Sequence, residues 1–220
     1  MRTPEKSNTM SFLAQGKLAA FCLAAFYLLA GCAEKGPILL DIAYLPPAKK
    51  TSVSPTITIG VSLIKDERGL PPSVIGKRTV ASGLENDLVT QGTVADLVTV
   101  ALKDAVRAHG IAVKETDTWD MTPEGMPADG YDLLVGGEIK SLWLDSASVP
   151  FKTNLKTSVR LKIVIGDAAE KKIIRVIDIN STIEQDVLYS REKLAAVLSE
   201  ALSAALEQIF QDDVLKKKIR

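Results

Sequence analysis

Few residues in this chain have the type and spacing to do chemistry. Ser190-Arg191-Glu192-Lys193 repeats the S-x-x-K pattern in which a lysine activates a serine nucleophile. That chemistry also needs S-D-N and K-T-G elements, and Lys152-Thr153-Asn154 is the nearest approach, so Ser190 reads as a helix cap. Gly69 and Gly76-Lys77 bring a glycine pair to a lysine. The spacing is two residues too long for a phosphate loop, and Arg78-Thr79 replaces its ending. Gly136-Gly137 lies inside a strand pattern and marks a bulge or a close helix contact. His109 is the single histidine, Asp66-Glu67 and Asp212-Asp213 sit in polar runs, and neither G-x-S-x-G nor zinc spacing occurs. These patterns predict a non-enzyme with no catalytic residue, no metal and no cofactor.

One reactive group remains, a thiol. Of the two cysteines, Cys22 lies in the apolar run Leu18-Ala19-Ala20-Phe21-Cys22-Leu23-Ala24-Ala25-Phe26-Tyr27-Leu28-Leu29-Ala30, and Cys32 lies just beyond it. Arg2, Lys6 and Lys17 precede the run, and Glu34 and Lys35 follow it. Its length suits the core of a secretion signal and falls short of the roughly 20 residues that cross a bilayer as a helix. Met10 as the start would leave Lys17 as the basic flank and the same run. Leu29-Ala30-Gly31-Cys32 resembles a bacterial lipobox, with small residues that admit the backbone to a peptidase and a thiol that takes the lipid. The resemblance implies cleavage between Gly31 and Cys32, diacylglycerol on the Cys32 sulfur and a further acyl chain on the new amino group. Several acyl chains make a stable anchor where one is marginal. In lipoproteins sorted as in enteric bacteria, Ala33 in place of Asp would imply the outer membrane rather than the inner one.

The 220 residues carry 27 basic and 27 acidic side chains. The first 31 hold three basic residues and one acidic residue, which leaves 24 basic and 26 acidic in the processed chain. A balance this close to neutral lacks the basic footprint of a nucleic-acid binder.

The elements that would position a site follow from periodicity. Residues 1–31 are the signal, 32–55 a lipidated, proline-rich tether with room for an edge strand at 38–44, and 56–220 a periplasmic α+β domain. Alternation predicts strands over 56–63, 133–144, 154–165 and 173–184, with a short one at 111–113. Residues 65–91, rich in Gly, Pro, Ser and charge, read as a long loop with room for a short strand near 78–81. Thr93 and Asp96 form a capping pattern for a helix over 93–109 that Gly110 stops, and a second apolar stripe spans 190–211. The predicted fold is an α+β two-layer sandwich: a mostly antiparallel sheet of about five strands with two amphipathic helices on one face. If Ile165 pairs with Ile173, Arg160 falls opposite Asp178.

The uncovered face of that sheet would carry Lys140, Lys156, Arg160 and Lys162 together with Leu142, Leu144, Val164, Ile174 and Val176. Such a cationic face with apolar patches suits an envelope protein, an anionic envelope polymer or a lipid, unless the long stems simply cover those side chains.

The lipobox, the tether with Val53-Ser54-Pro55-Thr56-Ile57-Thr58, the helix ending Arg107-Ala108-His109-Gly110 and the strand Leu133-Leu134-Val135-Gly136-Gly137-Glu138-Ile139 come in an order that resembles the YajG-type lipoproteins, as do the strand from Asn154 and the final Ala/Leu helix. The resemblance implies a small outer-membrane lipoprotein of unestablished role with no catalytic residues to carry over. The expected function is a non-catalytic, lipid-anchored periplasmic protein that binds an envelope partner. An auxiliary lipoprotein of an ABC-type lipid transport system is the alternative, and an envelope hydrolase is a weaker one.

Overall fold

Apolar–polar alternation is most sustained in the middle of the chain, and the longest elements lie there. The computed structural model describes residues 36–48, 56–116, 118–127 and 130–219, so Gly31 and Cys32 lie outside the described residues. In chain order the strands are β1 (Ile38–Leu39), β2 (Thr58–Val61), β3 (Lys65–Asp66), β4 (Val74–Thr79), β5 (Glu85–Val89), β6 (Ala112–Glu115), β7 (Leu133–Val149), β8 (Lys152–Asp167), β9 (Lys172–Ser181) and β10 (Glu184–Val187). Helix α1 (Val94–Ala108) joins β5 to β6, and α2 (Arg191–Glu207), a 3-10 turn (Ile209–Gln211) and α3 (Asp213–Ile219) follow β10.

The antiparallel β7–β8 hairpin is the spine, paired from Leu133↔Asp167 to Val149↔Lys152. On the outer side of β8 lie β9 and, further along, β10, both antiparallel. On the free side of β7, β2, β3 and β4 take successive places, all parallel to it. Strand β6 lies outside β2, and β5 and β1 lie outside β4. The predicted two-layer sandwich of about five mostly antiparallel strands is therefore wrong: among the described residues ten strands form one large mixed sheet, with three helices.

Three of the five additional strands come from residues 65–91, which hold β3, β4 and β5 rather than a long loop. Glycine and charge hid them, and the glycine has a reason. A Cβ on Gly76 would lie 2.1 Å from the Leu144 carbonyl oxygen, so only glycine lets β4 approach β7 here. Between β3 and β4 the pairing along β7 lapses, and Arg68 fills the gap. Its guanidinium grips Asp66 through two bonds of 2.8 Å and donates to the carbonyls of Val74 at 2.7 Å and Leu142 at 3.2 Å. A side chain thus supplies donors where the backbone ladder has none.

Helices α1 and α2 form where capping and apolar spacing agree. Thr93 accepts from the Asp96 backbone N–H, and Ser190 accepts from that of Lys193. Leu194, Leu198, Ala201 and Leu202 of α2 and Val98, Ala101, Leu102 and Ala105 of α1 join Leu155, Val159, Leu161, Ile163 and Ile165 of β8 in the main core. The opposite sheet face is covered at one end by a second core, in which Trp119, Met126 and Tyr131 lie on Leu134 and Val164. A Cβ on Gly136 would meet the Trp119 ring at 2.9 Å, so that strand glycine makes room for the indole. At ~25 cal/mol per Å² and ~200 Å² of buried ring, the indole contributes on the order of 5 kcal/mol before its ordering entropy.

The run at 38–44 does supply an edge strand, and more. After β1, the Leu40 N–H bonds the Val89 carbonyl, then the Ala43 and Leu45 N–H groups donate to Ser199 and Ser203 of α2 at 3.2 and 2.8 Å. Ile38, Leu40, Ile42 and Tyr44 are buried in the main core, so this part of the expected tether packs as a strap on the folded unit.

Candidate functional site

The four cations predicted to mark a partner face occupy β7 and β8, but not in the predicted company. Lys140 is the extra residue of a bulge between Ile139↔Leu161 and Ser141↔Arg160. The bulge reverses the alternation beyond it, which turns Leu142 and Leu144 into the main core, fully buried. Val164 is covered by the second core, and Ile174 packs against the main one. Val176 alone of the five expected apolar residues is substantially exposed.

The charges of that face are also largely met. Lys140 Nζ lies 2.7 Å from Glu138, which also faces Lys162 at 3.9 Å, and Lys156 lies 3.7 Å from Glu184. The Lys140 hydrogen bond, ahead of the charge of Lys162, holds the Glu138 carboxyl below its ordinary range. Arg160 makes no ion pair among the described residues; its cross-strand neighbours are Ser141 and Asn180. The predicted Arg160–Asp178 pairing fails in two steps: Ile173 pairs with Gly166 rather than Ile165, and a second irregularity, between Ile165 and Gly166, shifts the β9 register once more, so Ile165 faces Arg175 and Lys162 faces Asp178. Arg175 reaches Asp212 at 2.7 Å.

The groups with catalytic potential are engaged in holding the fold. Ser190 caps α2. His109 ends α1, stacks on Phe210 with ring centroids 3.9 Å apart, and places Nε2 3.0 Å from Glu207 at the end of α2. Tyr44 donates to the same carboxylate at 2.5 Å, and burial, followed by the Glu207 hydrogen bond, pushes its phenol far above the ordinary range. The neighbouring serine, Ser203, receives the Leu45 N–H and donates to the Ser199 carbonyl. This cluster clamps three segments together. Among the described residues no group of three or more His, Cys, Asp and Glu is arranged to hold a metal ion.

A groove of about 510 Å³ lies elsewhere, between the strap at 39–44 and α1. Leu39, Leu97 and Val100 give it an apolar lining, and Asp41, Asp96 and Asp104 give it carboxylates. Leu39 and Val100 are each more than half exposed. Asp96 is held by the Thr93 hydroxyl at 2.6 Å and Asp104 by Arg107 at 2.8 Å, whereas Asp41 makes no ion pair among the described residues. Sequence reasoning missed this site. Its only trace was that Leu97 and Val100 stand beside the buried stripe of α1 with acids at 96 and 104. Apolar area ringed by carboxylates suits a segment with an apolar side chain and a cation.

No family model matches the chain, and no curated protein matches it significantly. A crystal structure of a Xanthomonas campestris protein of the DUF330 family is similar with a TM-score of 0.51 at 10% identity, covering 79% of this chain and 91% of that one. A putative neuraminyllactose-binding hemagglutinin homolog from Helicobacter pylori gives 0.43 at 11% identity, covering 80% and 94%. Lipoprotein GNA1162 from Neisseria meningitidis gives 0.37 at 14% identity, covering 71% and 99%. The first of these establishes a shared fold and nothing about activity.

Proposed function

We propose that this chain is a lipoprotein, acylated on Cys32 and held at the periplasmic side of the outer membrane, that binds an envelope partner and performs no chemistry of its own. The lipobox after a basic-then-apolar leader supports the anchor, Ala33 the outer membrane, and the segment order the YajG-type reading. Among the described residues no helix is long and apolar enough to cross a membrane. The observation that carries partner binding is the groove: it joins exposed Leu39 and Val100 to Asp41 on one concave surface. It fits a partner that offers an apolar side chain beside Lys or Arg better than an anionic polymer, which the carboxylates repel.

Photocrosslinking in cells tests this. A photoreactive residue at Val100 is expected to trap a defined partner, and a charge reversal, Asp41→Lys, to abolish that product. Trapping from Lys156 on the β8 face but not from Val100 would refute the groove as the docking site.

A further inference from the structure

The two most exposed large apolar side chains among the described residues are Phe151, at 98%, and Leu188, at 79%. Both lie at one end of the sheet. Val149 pairs with Lys152, so Pro150 and Phe151 form the two-residue turn between β7 and β8. Val187 pairs with Thr153, which sets Leu188 level with Lys152. The β4–β5 turn ends there too: Thr79 pairs with Glu85 on one side and Ala147 on the other, which places Leu84 alongside. Five of the twelve exposed large apolar residues among those described, Leu84, Val149, Phe151, Leu188 and Tyr189, collect at this end.

The backbone adds a second observation. Phe151 has φ +69°, a left-handed conformation that glycine adopts freely and a bulky L side chain does not. A phenylalanine held in strain and almost wholly in water contributes nothing to the interior of the fold.

The start of the folded unit supplies the third. The Gly36 carbonyl accepts from Asn86 at 2.8 Å, and β1 runs parallel to β5 from that point. Asn86 pairs with Arg78 and Arg78 with Ser146. The chain therefore enters the sheet three residue levels from Val149, about 10 Å along the strands. It enters from the apolar end and runs away from it. Three residues lie between Cys32 and Gly36, so four backbone steps give a covalent reach of no more than about 14 Å.

We infer that this end of the sheet is a second membrane contact, which inserts Phe151 and Leu188 into the headgroup–acyl boundary of the bilayer that holds the Cys32 lipid. Lys77 and Lys152 at this end are paired with Glu85 and Asp186, so apolar area rather than headgroup charge drives the contact. Lipid and turn together make two points of attachment, which fix the orientation of the domain on the membrane. The inference rests on the lipid-anchor reading, and the test separates the two.

The full chain is expressed with its leader, purified as the processed protein, weighed intact for acyl chains, and placed in phosphatidylethanolamine/phosphatidylglycerol vesicles that carry nitroxide lipids. An environment-sensitive fluorophore is attached to F151C, L188C or, as control, V176C. Strong nitroxide quenching at 151 and 188 with little at 176 is the expected result. In an F151G background, quenching at 188 should fall several-fold while the thermal midpoint stays at or above that of the parent, because glycine relieves the turn. Acylated protein with equal quenching at 151 and 176 overturns the membrane contact alone. A probe at 151 shielded from water yet unquenched by lipid, which means a protein cover, overturns it as well. A mass without acyl chains overturns the anchor and the inference with it.

Discussion

Replacing Arg68 by Ala tests whether a side chain truly splices the broken ladder between β3 and β4. The substitution removes the paired bonds to Asp66 and the donors to the carbonyls of Val74 and Leu142. The Arg68 side chain is 2% exposed and that of Asp66 19%, so water reaches only the carboxylate, and only in part. Breaking a buried pair costs about 3–5 kcal/mol, and the partial exposure of Asp66 puts the expected loss near the lower bound, at about 3 kcal/mol. For a domain of this size that lowers the thermal midpoint by roughly 6–12 °C. Urea unfolding should show the same loss as a lower midpoint with an unchanged slope. Arg68→Lys should recover less than half, since an ammonium cannot hold the carboxylate in a two-bond grip and still reach two carbonyls. The pH dependence carries a sign. The Arg68 hydrogen bond holds the Asp66 carboxyl below its ordinary value, so the pair stabilises fully above that value and loses its effect as pH falls through the lowered one. Arg68→Ala should flatten that acid limb. A loss under about 1 kcal/mol with an unchanged acid profile would refute the splice.

Two further outcomes follow from particular contacts. Gly76→Ala should destabilise more than Gly166→Ala, because the new methyl group meets the Leu144 backbone oxygen at 2.1 Å in the first case and the pliable end of Met126 at 2.4 Å in the second. Overpacking costs about 1–3 kcal/mol, and denaturation midpoints will rank the two; the reverse order would count against the close β4–β7 approach. Lys218→Met should loosen α3, since Lys218 bonds Asp167 at 2.7 Å, and hydrogen exchange will report it in the C-terminal amides. That bond, first among several, holds the Asp167 carboxyl low. Its stabilisation is therefore complete above the ordinary carboxylate range and lost on acidification, and the variant should have a shallower acid limb.

What could be read in advance had local causes. Both helices announce themselves through Thr93 and Ser190, whose hydroxyls act within three residues, and β8 through an alternation that no bulge interrupts before Ile165. What escaped depends on partners far along the chain. The period of β4 is blurred by Gly76, which is there because of Leu144, and Leu142 and Leu144 change faces because of one extra residue at Lys140. A parity argument carried across a bulge is wrong for every residue beyond it. The groove was illegible for the same reason, since 39–44 and α1 meet only once the sheet has brought the strap to the helix.

The strap has a mechanical consequence. A pull delivered through Gly36 runs along the axis of β1, whose partner β5 lies parallel. The links from Leu40 to Val89, from Ala43 and Leu45 to α2, and from Tyr44 to Glu207 then bear the load together rather than opening one at a time. Tension from a bilayer would meet sheet edge and helix as one shear joint, so the domain should resist extraction by its N-terminus far better than peeling of β1 away from β5.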